Sequence, residues 1–208
     1  ITTRLVGSEM CIRDRIYMDL YEKTLSEESI FKCSFMELVK QKVKLPDGNE
    51  AERDIVKHSN GVCVIAFNEK GNILMVEQFR KPFNRVFLEL PAGKVDKEEI
   101  LEKAALRELK EETGYFANKI TYLGQIAPSP GFCDEVVHIF KAHELKKGET
   151  NFDHDEFLNL KEYPLEEVKK MIIEGRITDA KTIACLFFYE NIKSVSYTHL
   201  RAHETRSN

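Results

Sequence analysis

The sequence lacks the features that would put it in a bilayer, on a nucleic acid or in a disulfide framework. No apolar run approaches the roughly 20 residues that a membrane-crossing helix needs, and no signal-peptide pattern opens the chain. A basic surplus is missing as well: 31 Lys and Arg stand against 35 Asp and Glu, a formal net charge of −4. A general nucleic-acid binder normally shows a basic stripe, so neither nucleic acid nor membrane is an expected partner. The five cysteines (Cys11, Cys33, Cys63, Cys133, Cys185) are odd in number, widely spaced and form no Cys-x-x-Cys pair. That usage points to neither a disulfide set nor a zinc site, and cytoplasm is the expected compartment. No internal repeat is present. What is there is ordinary globular material: 208 residues, 42% hydrophobic and 32% charged, enough for one domain with a real core.

The two ends read differently from the middle. Residues 1–15 and the tail from about Ser194 to Asn208 follow neither a helical nor a strand period. Both resemble translated sequencing-adapter read-through; disordered termini are the alternative. The expected organisation is therefore a native start near Met18, with residues 1–17 and 194–208 outside the fold. Between them lie a β segment over 18–57 and a main domain over 58–193.

In the middle, apolar and polar residues alternate from Ile30 to Leu45. Leu45-Pro46-Asp47-Gly48-Asn49 then predicts a turn, with Glu50 to Lys57 returning as partner strand. Gly61 to Phe67 is an apolar run suited to a central strand, and Ile73 to Phe79 and Phe87 to Leu90 follow as strands, the last stopped by Pro91. Further strands are expected at Ile120–Ile126, Val136–Ala142 and Phe157–Leu160, and helices at Leu165–Glu174 and Asp179–Asn191. Strands with helices interspersed and tight β-turns imply a mixed sheet covered by helices.

The strongest helix signal lies between Gly93 and Tyr115. Asp96 is a good N-cap with Glu99 in the capping-box position, and Gly114 closes the helix. Ile100, Leu101, Ala104, Ala105 and Leu109 form its apolar stripe. Glu108, Glu111 and Glu112 share one face at i, i+3 and i+4. Three like charges near a helix C-terminus are costly without a cation to offset them, and oxygen ligands at this density select Mg²⁺ or Mn²⁺. Arg107 points off at about 100° from its neighbour, where it can brace a carboxylate from the side. A solvated acidic face is the plainer explanation of a lone Glu cluster, and the flanking pattern decides against it.

That pattern is Gly93, five residues, Glu99, seven residues, then Arg107-Glu108-Leu109-Lys110-Glu111-Glu112-Thr113-Gly114. It resembles the Nudix box at every charged and glycine position, departing only at Tyr115, where the family usually has an aliphatic residue. The resemblance implies a Nudix fold, an α/β/α sandwich around a mixed sheet, here with an N-terminal antiparallel β segment. It also implies Glu108 and Glu112 as metal ligands, Glu111 sharing or supporting them, and the Ala92 carbonyl as a further oxygen. Glu99 has two readings, family support for the box and local helix cap.

Beyond the box, Val76-Glu77-Gln78-Phe79-Arg80-Lys81-Pro82, Glu89-Leu90-Pro91-Ala92-Gly93 and Ser129-Pro130-Gly131-Phe132-Cys133-Asp134-Glu135 resemble the bacterial ADP-ribose pyrophosphatase subfamily. In that group a proline sixteen residues past the last box glycine marks ADP-sugar preference, and Pro130 stands there. It is also a plain Pro-Gly turn. Arg80 is placed to meet a pyrophosphate, since Arg suits bidentate phosphate contact. Arg53 resembles an Arg the family uses on the nucleotide side, although a surface charge is the commoner reading of a lone Arg. Phe132 would border the base or merely anchor its loop, and Glu135 closes this substrate-binding set.

By the same resemblance the group that positions or deprotonates water lies in a loop after the box. There Glu156 is the first choice, with Asp155 and Asp153 as rivals, and Glu111 and Arg107 complete the expected catalytic set. The implied reaction is Mg²⁺-dependent hydrolysis of ADP-ribose to AMP and ribose 5-phosphate by a homodimer. Other readings are hydrolysis of another nucleoside diphosphate derivative, such as GDP-mannose or a dinucleoside polyphosphate, and a non-catalytic ADP-ribose sensor.

Overall fold

Turn chemistry and alternation divide the chain into ten strands, three α-helices and one short 3-10 helix (Lys81–Phe83) among the residues that the computed structural model describes, 19–148 and 157–204, with side chains to 192. Three antiparallel strands come first: β1 (Lys23–Lys32), β2 (Met36–Lys44) and β3 (Glu50–His58). Pro46-Asp47-Gly48 makes the β2–β3 turn, with Gly48 N–H donating to the Leu45 carbonyl and the Asp47 carboxylate accepting from Asn49 N–H. The alternating stretch expected from Ile30 to Leu45 is not one strand. It folds back at Cys33–Phe35, where Cys33 N–H meets the Met36 carbonyl, and no Gly or Pro announces that turn.

The main domain has two sheets. A mixed one has the order β7 (Ala92–Lys94), β4 (Gly61–Ile65), β9 (Val137–Lys147), β8 (Tyr115–Ile126), with β4 and β9 parallel. The other is antiparallel, with β10 (Leu158–Pro164) and β6 (Arg85–Glu89) flanking β5 (Asn72–Arg80). The parallel pair needs a crossover, and the intervening chain supplies α1 (Leu101–Thr113). Because strand side chains alternate, Val62 and Val64 of β4 pack with Ala104, Ala105 and Leu109 of α1. On the opposite face Cys63 and Ile65 join Val168 and Met171 of α2 (Leu165–Ile173) and Cys185, Leu186 and Tyr189 of α3 (Ala180–Glu204). The result is an α/β/α sandwich with two cores.

Several expected boundaries move. The helix expected from Asp96 starts at Leu101, with Ile100 as N-cap. Glu98 explains the delay: its φ of 65° is left-handed, so no helix can run through it. Glu99 still accepts the Asp96 N–H at 3.1 Å, the half of a capping box that survives. At the other end Gly114 takes a φ of 73° and its N–H reaches the Lys110 carbonyl. β8 begins at Tyr115, earlier than the expected Ile120, and Tyr115 is buried in the core on the α1 side. α3 continues past the expected end at Asn191 as far as Glu204. Residues 1–18, 149–156 and 205–208 lie outside the described residues. No helix among the described residues is long and apolar enough to cross a membrane.

Candidate active site

The site is built where α1 lies across β7. Glu108 and Glu112 stand one turn apart on α1 and are only 9% and 3% exposed. Glu112 accepts the Ala92 N–H at 3.0 Å. The Glu108 carboxylate rests so close to Gly93 that a Cβ there would lie 2.1 Å from its Cδ, so glycine is the residue that lets helix and strand meet. Two carboxylates sunk this far are costly unless paired, hydrogen-bonded or set on a cation.

Arg107 supplies part of that compensation. Its guanidinium donates to Glu99 (Nε to Oε1 at 3.0 Å, Nη2 to Oε2 at 2.9 Å), to Glu108 at 2.7 Å and to Glu111 at 3.0 Å. A further bond at 2.9 Å reaches the Lys94 carbonyl and ties the hub to β7. The Glu99 bonds, with Glu108 and Glu111 behind them, raise the Arg107 pKa further above its already high value against the pull of burial. In return the Arg107 hydrogen bonds hold the Glu99 carboxyl below its usual range. Among the described residues no three His, Cys, Asp or Glu side chains form a ready metal cage. Mg²⁺ does not need one, since it commonly takes one or two carboxylates, several waters and substrate phosphates. The buried Glu108–Glu112 pair beside a strand with no Cβ at Gly93 fits that chemistry.

A second charged group lies next to the pair. Arg80, at the end of β5, grips Glu89 of β6 with Nε and Nη2, each at 2.8 Å, and Glu89 is 2% exposed. This bond, reinforced by the charges of Glu112 and Asp179, raises the Arg80 pKa. Lys181 also binds Glu89, on the Oε2 that Arg80 Nη2 contacts, at 3.0 Å, and meets Asp179 at 2.6 Å.

The third part is a cavity of about 430 Å³ between the N-terminal sheet and the loop before β9, lined by Glu22, Arg53, Pro130, Phe132 and Glu135 among others. The loop is stitched to β3: Val56 N–H donates to the Phe132 carbonyl at 2.7 Å, Asp134 N–H to Val56 at 3.1 Å, and His58 N–H to the Asp134 carboxylate at 2.7 Å. Arg53 is held bidentately by Glu22 at 2.9 and 2.7 Å. A Cβ added at Gly61 would lie 3.4 Å from the Gly93 carbonyl and 3.6 Å from Glu135 Oε1, so the cavity rim abuts β7, the strand against which the α1 carboxylates rest.

The structure thus gathers the expected residues in three adjoining places. Ala92, Arg107, Glu108, Glu111 and Glu112 surround β7; Arg80 stands beside them on Glu89; Arg53, Pro130, Phe132 and Glu135 line the cavity. Glu156, Asp155 and Asp153 lie outside the described residues. Sequence reasoning missed Glu89, Asp179, Lys181, Thr182, Glu22 and Asp134. A lone carboxylate inside the apolar run Phe87-Leu88-Glu89-Leu90 was the available signal for Glu89. The Asp179 to Thr182 spacing was an N-cap signal for the start of α3.

Known proteins resemble this chain in sequence and in fold. Residues 57–185 match the family model described as NUDIX domain. The chain is 46% identical over 165 residues to the ADP-ribose pyrophosphatase of Bacillus subtilis (strain 168), covering 78% of this chain and 89% of that protein. It is 42% identical over 171 residues to the methanol dehydrogenase activator of Bacillus methanolicus, covering 81% and 92%. A crystal structure of an ADP compounds hydrolase superposes with a TM-score of 0.74 at 18% identity, covering 84% of this chain and 95% of that one.

Proposed function

The chain belongs to the NUDIX domain family and is a Nudix hydrolase, and from that premise we propose that it hydrolyses ADP-ribose to AMP and ribose 5-phosphate with Mg²⁺. The observation that carries the proposal is the pair of buried carboxylates, Glu108 and Glu112, set against the Cβ-free edge at Gly93 and abutting a nucleoside-sized cavity. Phosphoryl transfer asks mainly for positioning and charge neutralisation, and each part of the site serves one of these.

Glu108 and Glu112 would hold Mg²⁺, with the Ala92 carbonyl and Glu111 in support; Mn²⁺ suits the same donors. When bound, such ions polarise the phosphoryl group, activate water and neutralise the leaving phosphate. Arg107 fixes the box carboxylates in place. Arg80 binds phosphate oxygens through the donors that Glu89 leaves open, because the two bonds to Glu89 use two of its five N–H groups. Arg53, Phe132 and Pro130 hold the nucleoside end in the cavity, with Glu135 at its rim. Glu156 positions or deprotonates the attacking water. Support for ADP-ribose as substrate comes from the name of the Bacillus subtilis relative and from Pro130 on the cavity wall.

A second copy of the chain completes the enzyme in this reading. Every residue of β1, the edge strand of its sheet, is exposed, and its three apolar side chains, Leu25, Ile30 and Phe31, ask for cover. The free Cys33, Cys63, Cys133 and Cys185 suit a reducing compartment such as the cytoplasm. A substrate panel tests the proposal: with Mg²⁺, AMP release from ADP-ribose should outpace cleavage of GDP-mannose, NADH and diadenosine polyphosphates. Faster turnover of any of the others would replace ADP-ribose as the substrate.

A further inference from the structure

The start of α3 reaches the strand that leads into the site, and nothing in the chemistry above uses it. Thr182 is fully buried; its hydroxyl accepts the Leu90 N–H at 2.9 Å and donates to Asp179 at 2.8 Å. Asp179 also accepts the Thr182 N–H at 2.9 Å and so caps the helix. Lys181 then bridges Asp179 and Glu89, and Glu89 holds Arg80 by both oxygens. Charges alternate along Asp179–Lys181–Glu89–Arg80, and the last of them feels the Glu112 carboxylate.

We propose that Lys181 is a positioning residue for the substrate diphosphate: it anchors the Glu89 carboxylate so that Arg80 presents its remaining N–H donors to the phosphate oxygens. Two features of the arrangement require an anchor. Glu89 Oε2 is shared by Arg80 Nη2 at 2.8 Å and Lys181 Nζ at 3.0 Å. Asp179, Lys181, Glu89 and Arg80 sum to zero charge, so Lys181 adds no net positive charge at the phosphate and instead holds the shared oxygen in place beside Arg80. The grip on Arg80 is also a planar fork, which orients the guanidinium only as well as the carboxylate itself is fixed. Lys181 and Thr182 fix it at two consecutive residues, Glu89 through its side chain and Leu90 through its backbone N–H. Burial works against the Lys181 charge, and Asp179 and Glu89 outweigh it and keep the ammonium form.

The inference rests on the phosphate-cleaving reading of the site and is separable from the choice of ADP-ribose. Inorganic pyrophosphate is the probe, titrated calorimetrically into the full chain with and without Mg²⁺. Lys181→Met should weaken binding about tenfold while Lys181→Arg stays within about threefold, and in an Arg80→Met background Lys181→Met should add under about twofold, since coupled residues are non-additive. Asp179→Asn, which keeps an oxygen for the helix cap but loosens Lys181, should weaken binding in the same direction and serves if Lys181→Met does not fold. Three results overturn the proposal: unchanged affinity in Lys181→Met (or, where that variant does not fold, in Asp179→Asn), equal losses with and without Arg80, or no pyrophosphate binding by the parent protein in either condition. A parent that shows the coupling but releases no AMP from ADP-ribose keeps the positioning role and loses only the substrate.

Discussion

A single methyl group at Gly93 separates the geometry of the site from the stability of the fold. Gly93→Ala would place a Cβ 2.1 Å from Glu108 Cδ and 2.2 and 2.3 Å from its two carboxylate oxygens. Ordinary contact is about 3.5–4 Å, so the carboxylate must retreat by well over 1 Å. It can move, being the far end of a flexible side chain, but it is nearly buried and bound to Arg107 at 2.7 Å, so the retreat strains or breaks that bond. Overpacking of this sort costs about 1–3 kcal/mol, within reach of a domain with two cores. A misplacement of about 1 Å at a reacting centre costs on the order of a hundredfold in rate. The expected variant is therefore folded, modestly destabilised and about a hundredfold slower in Mg²⁺-dependent AMP release from ADP-ribose. Thermal melting and turnover are measured on the same preparation. Adding Glu108→Asp should recover melting temperature but not rate. Turnover within about threefold of the parent, a change too small for a group displaced from the reaction centre, would refute the placement of Glu108 as a metal-bearing group.

Arg107→Gln removes the hub and leaves Glu99, Glu108 and Glu111 facing one another. A loss of about 1–3 kcal/mol in urea unfolding is expected, less than for a fully buried pair because Arg107 is partly exposed. Mg²⁺ should then raise the melting temperature of the variant more than that of the parent. Asp179 gives a pH signature: burial pushes its pKa up, yet Lys181 and Thr182 outweigh burial and hold it below the ordinary 3.8. Its contribution is therefore complete above that value and lost as pH falls through the lowered one. The stability gap between parent and Asp179→Asn should be widest near neutrality and shrink in acid unfolding below about pH 4. Phe31→Asp, on the exposed β1, should shift the mass seen by light scattering from two chains to one.

How far the fold could be read depended on how local its causes are. The β2–β3 hairpin was legible because Pro46-Asp47-Gly48 is turn chemistry in adjacent residues. The α1 stripe was legible because Ala104, Ala105 and Leu109 recur at helical spacing. Periodicity did not reveal the start of α1, because Glu98 takes a left-handed conformation for which its residue type gives no cue. Nor did a Gly or Pro mark the fold-back at Cys33–Phe35. At the site, the box residues carried their own spacing, whereas the Lys181–Glu89 contact joins positions 92 apart. Arg53 and Arg80 were visible as single charges, but their carboxylate partners, Glu22 and Glu89, were fixed only by tertiary packing. A pair with a buried carboxylate, such as Arg80–Glu89, leaves no pattern in a linear sequence beyond a charge in an apolar strand.

Glu112→Gln tests the central claim most directly. The change keeps side-chain volume and a carbonyl oxygen for the Ala92 N–H, which Glu112 accepts at 3.0 Å, and removes the charge that would hold the metal. The parent should release AMP from ADP-ribose with Mg²⁺, and the variant, folded and with an unchanged melting temperature without metal, should lose that release almost entirely. Undiminished AMP release from Glu112→Gln would contradict the assignment of the α1 carboxylates as the metal-bearing centre.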